Sequence, residues 1–102
     1  GFIGTPPMNF LKQEKRLLGF RPETFLPAEF IEEEERENFP FAVELSENLG
    51  SYRVIYGTIG DTRVRSRITR PYQLEKGKTY DFSVQRKDLY FFDKETGKRT
   101  EG

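Results

Sequence analysis

Cysteine, histidine and tryptophan are all missing from this sequence. Without cysteine there is no disulfide, no thiol nucleophile and no thiolate metal site. Without histidine, the commonest general base and most transition-metal sites go as well. Long apolar runs are missing too. The longest span a few residues, far short of the roughly 20 that cross a bilayer as a helix. A soluble chain with no catalysis of its own is therefore expected. The first residues, GFIG, offer neither a Met nor a basic stretch leading into an apolar run, so they read as the start of a piece of something longer rather than a signal peptide. With 102 residues the chain has room for one domain and a modest core.

An excess of one charge is also missing, since 17 Lys and Arg balance 17 Asp and Glu. The balance hides an asymmetry. Residues 1–50 hold 5 basic against 10 acidic side chains, and residues 51–102 hold 12 against 7. Much of the acidity lies in EEEERE, Glu32 to Glu37, and much of the basic excess in RVRSRITR, Arg63 to Arg70. A solvated loop and a solvated strand face account for both more simply than dedicated binding patches do.

What is present reads as β-structure. FAVEL (Phe41 to Leu45), YRVIYGTI (Tyr52 to Ile59) and TRVRSRI (Thr62 to Ile68) are rich in β-branched and aromatic residues, and the last two alternate with period two. Gly60-Asp61 between them is a hairpin turn, because Gly accepts positive φ and Asp tolerates it. TYDFSVQR places Tyr80, Phe82 and Val84 on one face; a charged turn at Arg86 to Asp88 leads to LYFFD and then a polar, turn-rich tail. Short, regularly spaced strands predict an all-β antiparallel barrel or sandwich. The first half is less regular. Phe2 and Ile3 fit the end of a helix, Thr5-Pro6-Pro7 forces an extended exit from it, LLGF fits a strand, and Pro22 and Pro27 exclude a long helix after it.

The order of several motifs carries a resemblance. FIGTPPMNFL (Phe2 to Leu11), GFRPETF with its Gly-x-Arg-Pro-Glu, ELSENLGS (Glu44 to Ser51) with its Glu-Asn-Leu-Gly, LEKGKTYDFSV and LYFFDKETGKR follow one another along nearly the whole chain. In this order they resemble the C-terminal regulatory domain of the ATP-binding subunits of maltose-type ABC importers, the group that carries TOBE-type oligonucleotide-binding-fold (OB) modules. The resemblance implies a small antiparallel OB-like barrel, preceded by a helix remnant and linker. Residues 1–11 would end a nucleotide-binding domain, and residues 12–102 would form the regulatory domain. Only Lys12 to Leu18 separate two motifs that the family spaces more widely, so the barrel is either a compact variant or open at an edge that invites pairing. Relatives often have a His in the closing strand where this chain has Tyr90, so no role of that His carries over.

The resemblance further implies a tether that keeps two ATPase subunits in contact after ATP hydrolysis. The partners would be a second copy, permease subunits reached through the parent chain, and a regulatory protein. ATP and Mg would bind the parent nucleotide-binding domain, with no cofactor here, and the location would be cytoplasmic, at the inner face of the cell membrane. The solute would be a sugar or a related compound.

Physically, Gly19, Arg21, Pro22 and Glu23 form a corner. Pro22 fixes φ and lacks an amide donor, so a strand through Phe20 ends there, while Arg21 and Glu23 satisfy backbone groups or pair with each other or with neighbours. Glu47, Asn48 and Gly50 suit a strand end or bulge, with Glu47 a local acceptor rather than an acid catalyst. Ten phenylalanines leave aromatic surface to spare, with Phe20, Phe25, Phe91 and Phe92 as interface candidates. Two other functions compete. Nucleic acid could meet Arg63, Arg65 and Arg67 with Tyr52, Tyr56 and Tyr72 stacking nearby, although zero net charge and an acidic first half oppose a phosphate backbone, so no nucleic acid is expected. Small-anion binding is permitted by the arginines but lacks an amide-nest motif. No phosphate loop is present, and the lone Thr-Gly-Lys, Thr96 to Lys98, reads as a turn.

Overall fold

A computed structural model describes residues 7–101, and the candidate helix end at Phe2 and Ile3 lies outside them. Nine strands follow in order: β1 (Asn9–Lys12), β2 (Arg16–Phe20), β3 (Leu26–Pro27), β4 (Arg36–Asn48), β5 (Arg53–Ile59), β6 (Thr62–Ile68), β7 (Thr79–Gln85), β8 (Tyr90–Asp93) and β9 (Arg99–Thr100). All pairings are antiparallel. They make a sheet ordered β1-β2-β8-β9 and a curled sheet ordered β3-β7-β4-β5-β6, an all-β, OB-like arrangement.

Alternation sets the faces. In β6, Val64, Ser66 and Ile68 are buried while Arg63, Arg65 and Arg67 face outward. In β4, Phe39, Phe41 and Val43 face the core, and strict period two would send Leu45 there as well. The register instead shifts between Val43 and Leu45, so Leu45 lies opposite Tyr56 and is 56% exposed. A one-residue bulge has turned its side chain outward.

The core is a phenylalanine cluster. Phe25 meets Phe20, Phe41 and Phe82 at ring-centroid distances of 5.1, 5.0 and 5.2 Å, and Phe41 meets Phe82 at 4.7 Å. All four are fully buried. Aromatic pairs of this kind add about 0.5–1.5 kcal/mol each beyond the area they remove from water.

The outer edge of β6 is covered by two side-chain contacts rather than by a strand ladder. Asn9 in β1, itself buried, donates from Nδ2 to the Arg65 carbonyl at 2.8 Å and accepts the Arg65 N–H on Oδ1 at 2.9 Å. Ser66 Oγ donates to the Phe25 carbonyl. Asn9 thus copies the two hydrogen bonds of a neighbouring strand residue and joins the two sheets. The segment expected to be linker therefore contributes β1 to the fold.

The acidic run is fastened rather than free. Arg36 Nη1 donates to the carbonyls of Ala28 and Ile31 at 2.9 and 2.8 Å, and Arg86 reaches Glu37 at 2.9 Å as well as the Glu34 and Arg36 carbonyls. The C-terminal tail also has structure. Asp93 Oδ1 accepts the N–H groups of Glu95 and Thr96 at 2.8 and 2.9 Å, turning the chain so that β9 pairs with β8. Those two donors hold the Asp93 carboxyl below the usual carboxylate range.

Candidate functional site

The Arg-Pro-Glu corner is built as its residue types dictate. β2 ends at Phe20, Arg21 is extended at φ −81° and ψ 148°, and Pro22 opens a 3-10 turn over Pro22–Thr24. Thr24 donates its N–H and its hydroxyl to the Arg21 carbonyl at 3.0 and 2.8 Å. A Cβ on Gly19 would lie 2.6 Å from Met8 Sδ and 2.9 Å from Phe92 Cε2, so any larger residue would have to push those two side chains aside. The expected work of Arg21 and Glu23 is not found. Among the described residues neither side chain makes a hydrogen bond or ion pair, because Thr24 already serves the turn.

The interface expectation also needs correction. Phe20 and Phe25 have no exposed surface, since both corner residues point into the ring cluster. Phe91 and Phe92 are half-buried, with the Arg16 guanidinium 4.3 Å above Phe91 and the Phe10 and Phe92 rings in a T-shaped contact at 5.8 Å between centroids.

Beyond the bulge, Glu44 to Asn48 are all exposed, and with β5 they form a hairpin that ends in the Glu-Asn-Leu-Gly motif. Asn48 Oδ1 accepts the Gly50 N–H at 3.1 Å, the Leu49 N–H donates to the Tyr52 carbonyl at 2.9 Å, and Gly50 takes φ 94°. Glu47 accepts the Tyr56 hydroxyl at 3.3 Å, as a local acceptor should. Desolvation first, then the Glu47 charge and that hydrogen bond, push the Tyr56 phenol above its ordinary value. Leu45 and Leu49, 56% and 46% exposed, are the large apolar side chains of this hairpin that face water.

The arginine face forms as the alternation predicts, but it is not a bare cationic stripe. Arg63 lies 3.6 Å from Glu44, Arg65 donates to the Pro7 carbonyl at 3.3 Å, and the Arg67 guanidinium stacks 4.5 Å from the Tyr52 centroid. Tyr56 sits directly opposite Arg65. Tyr72 does not join them. Its ring meets Phe30 edge-on at 5.3 Å and its hydroxyl donates to Glu29 at 2.8 Å, which is the main cause of a raised phenol pKa. Sequence reasoning missed the Asn9 clasp and the Arg70–Phe30–Tyr72 cluster, because both depend on residues far apart in the chain.

Among the described residues no group of three or more His, Cys, Asp or Glu is placed to hold a metal ion, and no helix is long and apolar enough to cross a membrane.

No protein-family model matches the chain. Individual proteins do. The chain is 32% identical to the sn-glycerol-3-phosphate import ATP-binding protein of Bartonella quintana, over 96% of this chain and 32% of that protein. It is 30% identical to the trehalose/maltose import ATP-binding protein of Thermococcus litoralis, over 96% of this chain and 36% of that one. An ABC transporter ATP-binding protein of Bacillus subtilis is 27% identical over 94% of this chain and 36% of its own length. The chain is related to the ATP-binding subunits of ABC importers. It spans about a third of the length of these relatives. The first match runs over 117 positions, more than this chain's 102 residues, so that relative carries extra residues within the shared span.

Proposed function

We propose that this chain is the regulatory and dimer-contacting domain of the ATP-binding subunit of an ABC importer for a sugar or sugar-derived solute. The observation that carries the proposal is the pair of coverages, nearly all of this chain against about a third of each relative. That is the pattern of one module of a longer subunit. The motif order that led to the same family supports it, and so does the corner built on Gly19, Arg21, Pro22 and Glu23.

On this proposal the module binds no ATP and carries out no hydrolysis. Nucleotide and Mg belong to the rest of the subunit, which also meets the permease at the inner face of the membrane. Two copies of the module stay in contact while the ATPases open, so the subunits do not drift apart. A symmetric pair uses one self-complementary patch. The hairpin surface of Leu45, Leu49 and Tyr56 is the best candidate, since a bulge has turned Leu45 out of the core into water. Nucleic acid is a poorer fit to that face, because Glu44 and Glu47 stand among its arginines.

The test is Leu45→Asp with Leu49→Asp in the longer subunit, with distance labels on the two modules. Loss of the close pairing, with ATP binding intact, is expected. Unchanged pairing would remove the hairpin from the interface.

A further inference from the structure

At the end of β6 two arginines lie on aromatic rings and on nothing else. The Arg67 guanidinium is 4.5 Å from the Tyr52 centroid, and that of Arg70 is 3.8 Å from the Phe30 centroid. Among the described residues neither is paired with a carboxylate or hydrogen-bonded to an acceptor, and Arg67 Nε is buried without any partner. Arg99 also stacks, 4.6 Å from the Tyr90 centroid, but other arginines are tied to the main chain. Arg36, Arg53 and Arg86 each donate to main-chain carbonyls. Arg67 and Arg70 line one cavity of ≈ 360 Å³ together with Glu23, Leu26, Phe30 and Thr69. Its size suits a small molecule, which commonly occupies about 300–1,000 Å³.

Stacking fixes the plane of a guanidinium while leaving its N–H fork free, so these two groups are oriented donors with uncancelled charge. We propose that this cavity binds a small phosphate monoester. A phosphate offers three terminal oxygens, enough for both forks, whereas a carboxylate offers two, which one fork can occupy alone. Sliding of the Arg67 guanidinium over Tyr52 presents Nε to one of those oxygens. Leu26 and the edge of Phe30 meet the carbon part of the ligand. Glu23, exposed and unpartnered, accepts a hydroxyl of that part and, by its charge, disfavours anions that place no sugar hydroxyl against it. The Glu of the Arg-Pro-Glu corner thereby acquires a role in selectivity. This inference does not rest on the tether function.

The test is an NMR titration of the isotope-labelled chain with glucose-6-phosphate, inorganic phosphate, citrate and oligothymidylate. Glucose-6-phosphate should give saturable shifts at Glu23, Phe30, Thr69 and Arg70 with Kd below about 1 mM. Arg70→Gln, at an exposed position, should weaken it by about tenfold or more, and Arg67→Gln likewise. Inorganic phosphate should bind more weakly than the ester, and Glu23→Gln should close that gap. No saturation by about 10 mM ester would overturn the proposal. So would citrate binding as tightly as the ester, or oligothymidylate binding more tightly with shifts that spread along Arg63 and Arg65.

Discussion

Replacing Asn9 by Ala removes the clasp between the sheets while leaving the phenylalanine core untouched. Two hydrogen bonds to the Arg65 main chain are lost, at 2.8 and 2.9 Å, from a side chain that is only 5% exposed. At about 0.5–1.5 kcal/mol for each net bond, the expected cost is about 1–3 kcal/mol. A domain of this size loses roughly 4–8 °C of Tm for each kcal/mol, so the shift should be about 4–24 °C. Urea unfolding followed by circular dichroism should show a lower midpoint with an unchanged slope, since the surface exposed on unfolding is nearly the same. Asn9→Asp refines the test. At neutral pH it keeps the acceptor for the Arg65 N–H but sets a second oxygen against the Arg65 carbonyl, so it should cost at least as much as Ala. Below about pH 4 the protonated carboxyl becomes a donor again, and part of the loss should return. If Asn9→Ala stays within about 0.3 kcal/mol of the parent, the two bonds contribute nothing net and the clasp is not what joins the sheets.

Phe25→Ala should cost about 3–5 kcal/mol, enough to leave a small domain partly unfolded at 37 °C, because it empties the centre of the ring cluster; thermal melts check this. For Asp93 the folded pKa is depressed, so its contribution is present above the unfolded value and lost as pH falls through the lower folded value. The amide shifts of Glu95 and Thr96 should accordingly titrate together below the ordinary carboxylate range, and titration at about 3.9 would show that the turn does not hold the carboxylate. Calorimetric titration of this chain with Mg-ATP should show no binding heat, whereas micromolar stoichiometric binding would contradict the assignment of nucleotide to the rest of the subunit.

The strands of the second half were legible because an antiparallel sheet with one buried face writes its alternation into the chain. Thr62 to Ile68 was bounded correctly by pattern alone, and Pro22 marked its corner for reasons of covalent geometry. The limits were equally physical. Periodicity is local, so it missed the Asn9 to Arg65 contact across 56 residues and the extension of β4 back to Arg36. It could not see the bulge that exposes Leu45, because Phe41, Val43 and Leu45 alternate without a break. Nor could it divide ten phenylalanines between core and surface, and two of the four interface candidates proved to be core. At the corner, residue types suggested that Arg21 and Glu23 would be satisfied locally. Thr24, which no motif singled out, occupies that role and leaves Glu23 open to a ligand.

The tether is decided in the longer subunit by deleting the segment from Asn9 onward and following the association of the two ATPases through a hydrolysis cycle, by sedimentation or by distance labels on the nucleotide-binding domains. ATP binding should remain intact, while the subunits should separate once ATP is hydrolysed. A truncated form that stays paired after hydrolysis and transports normally would contradict a dimer-holding role for this domain.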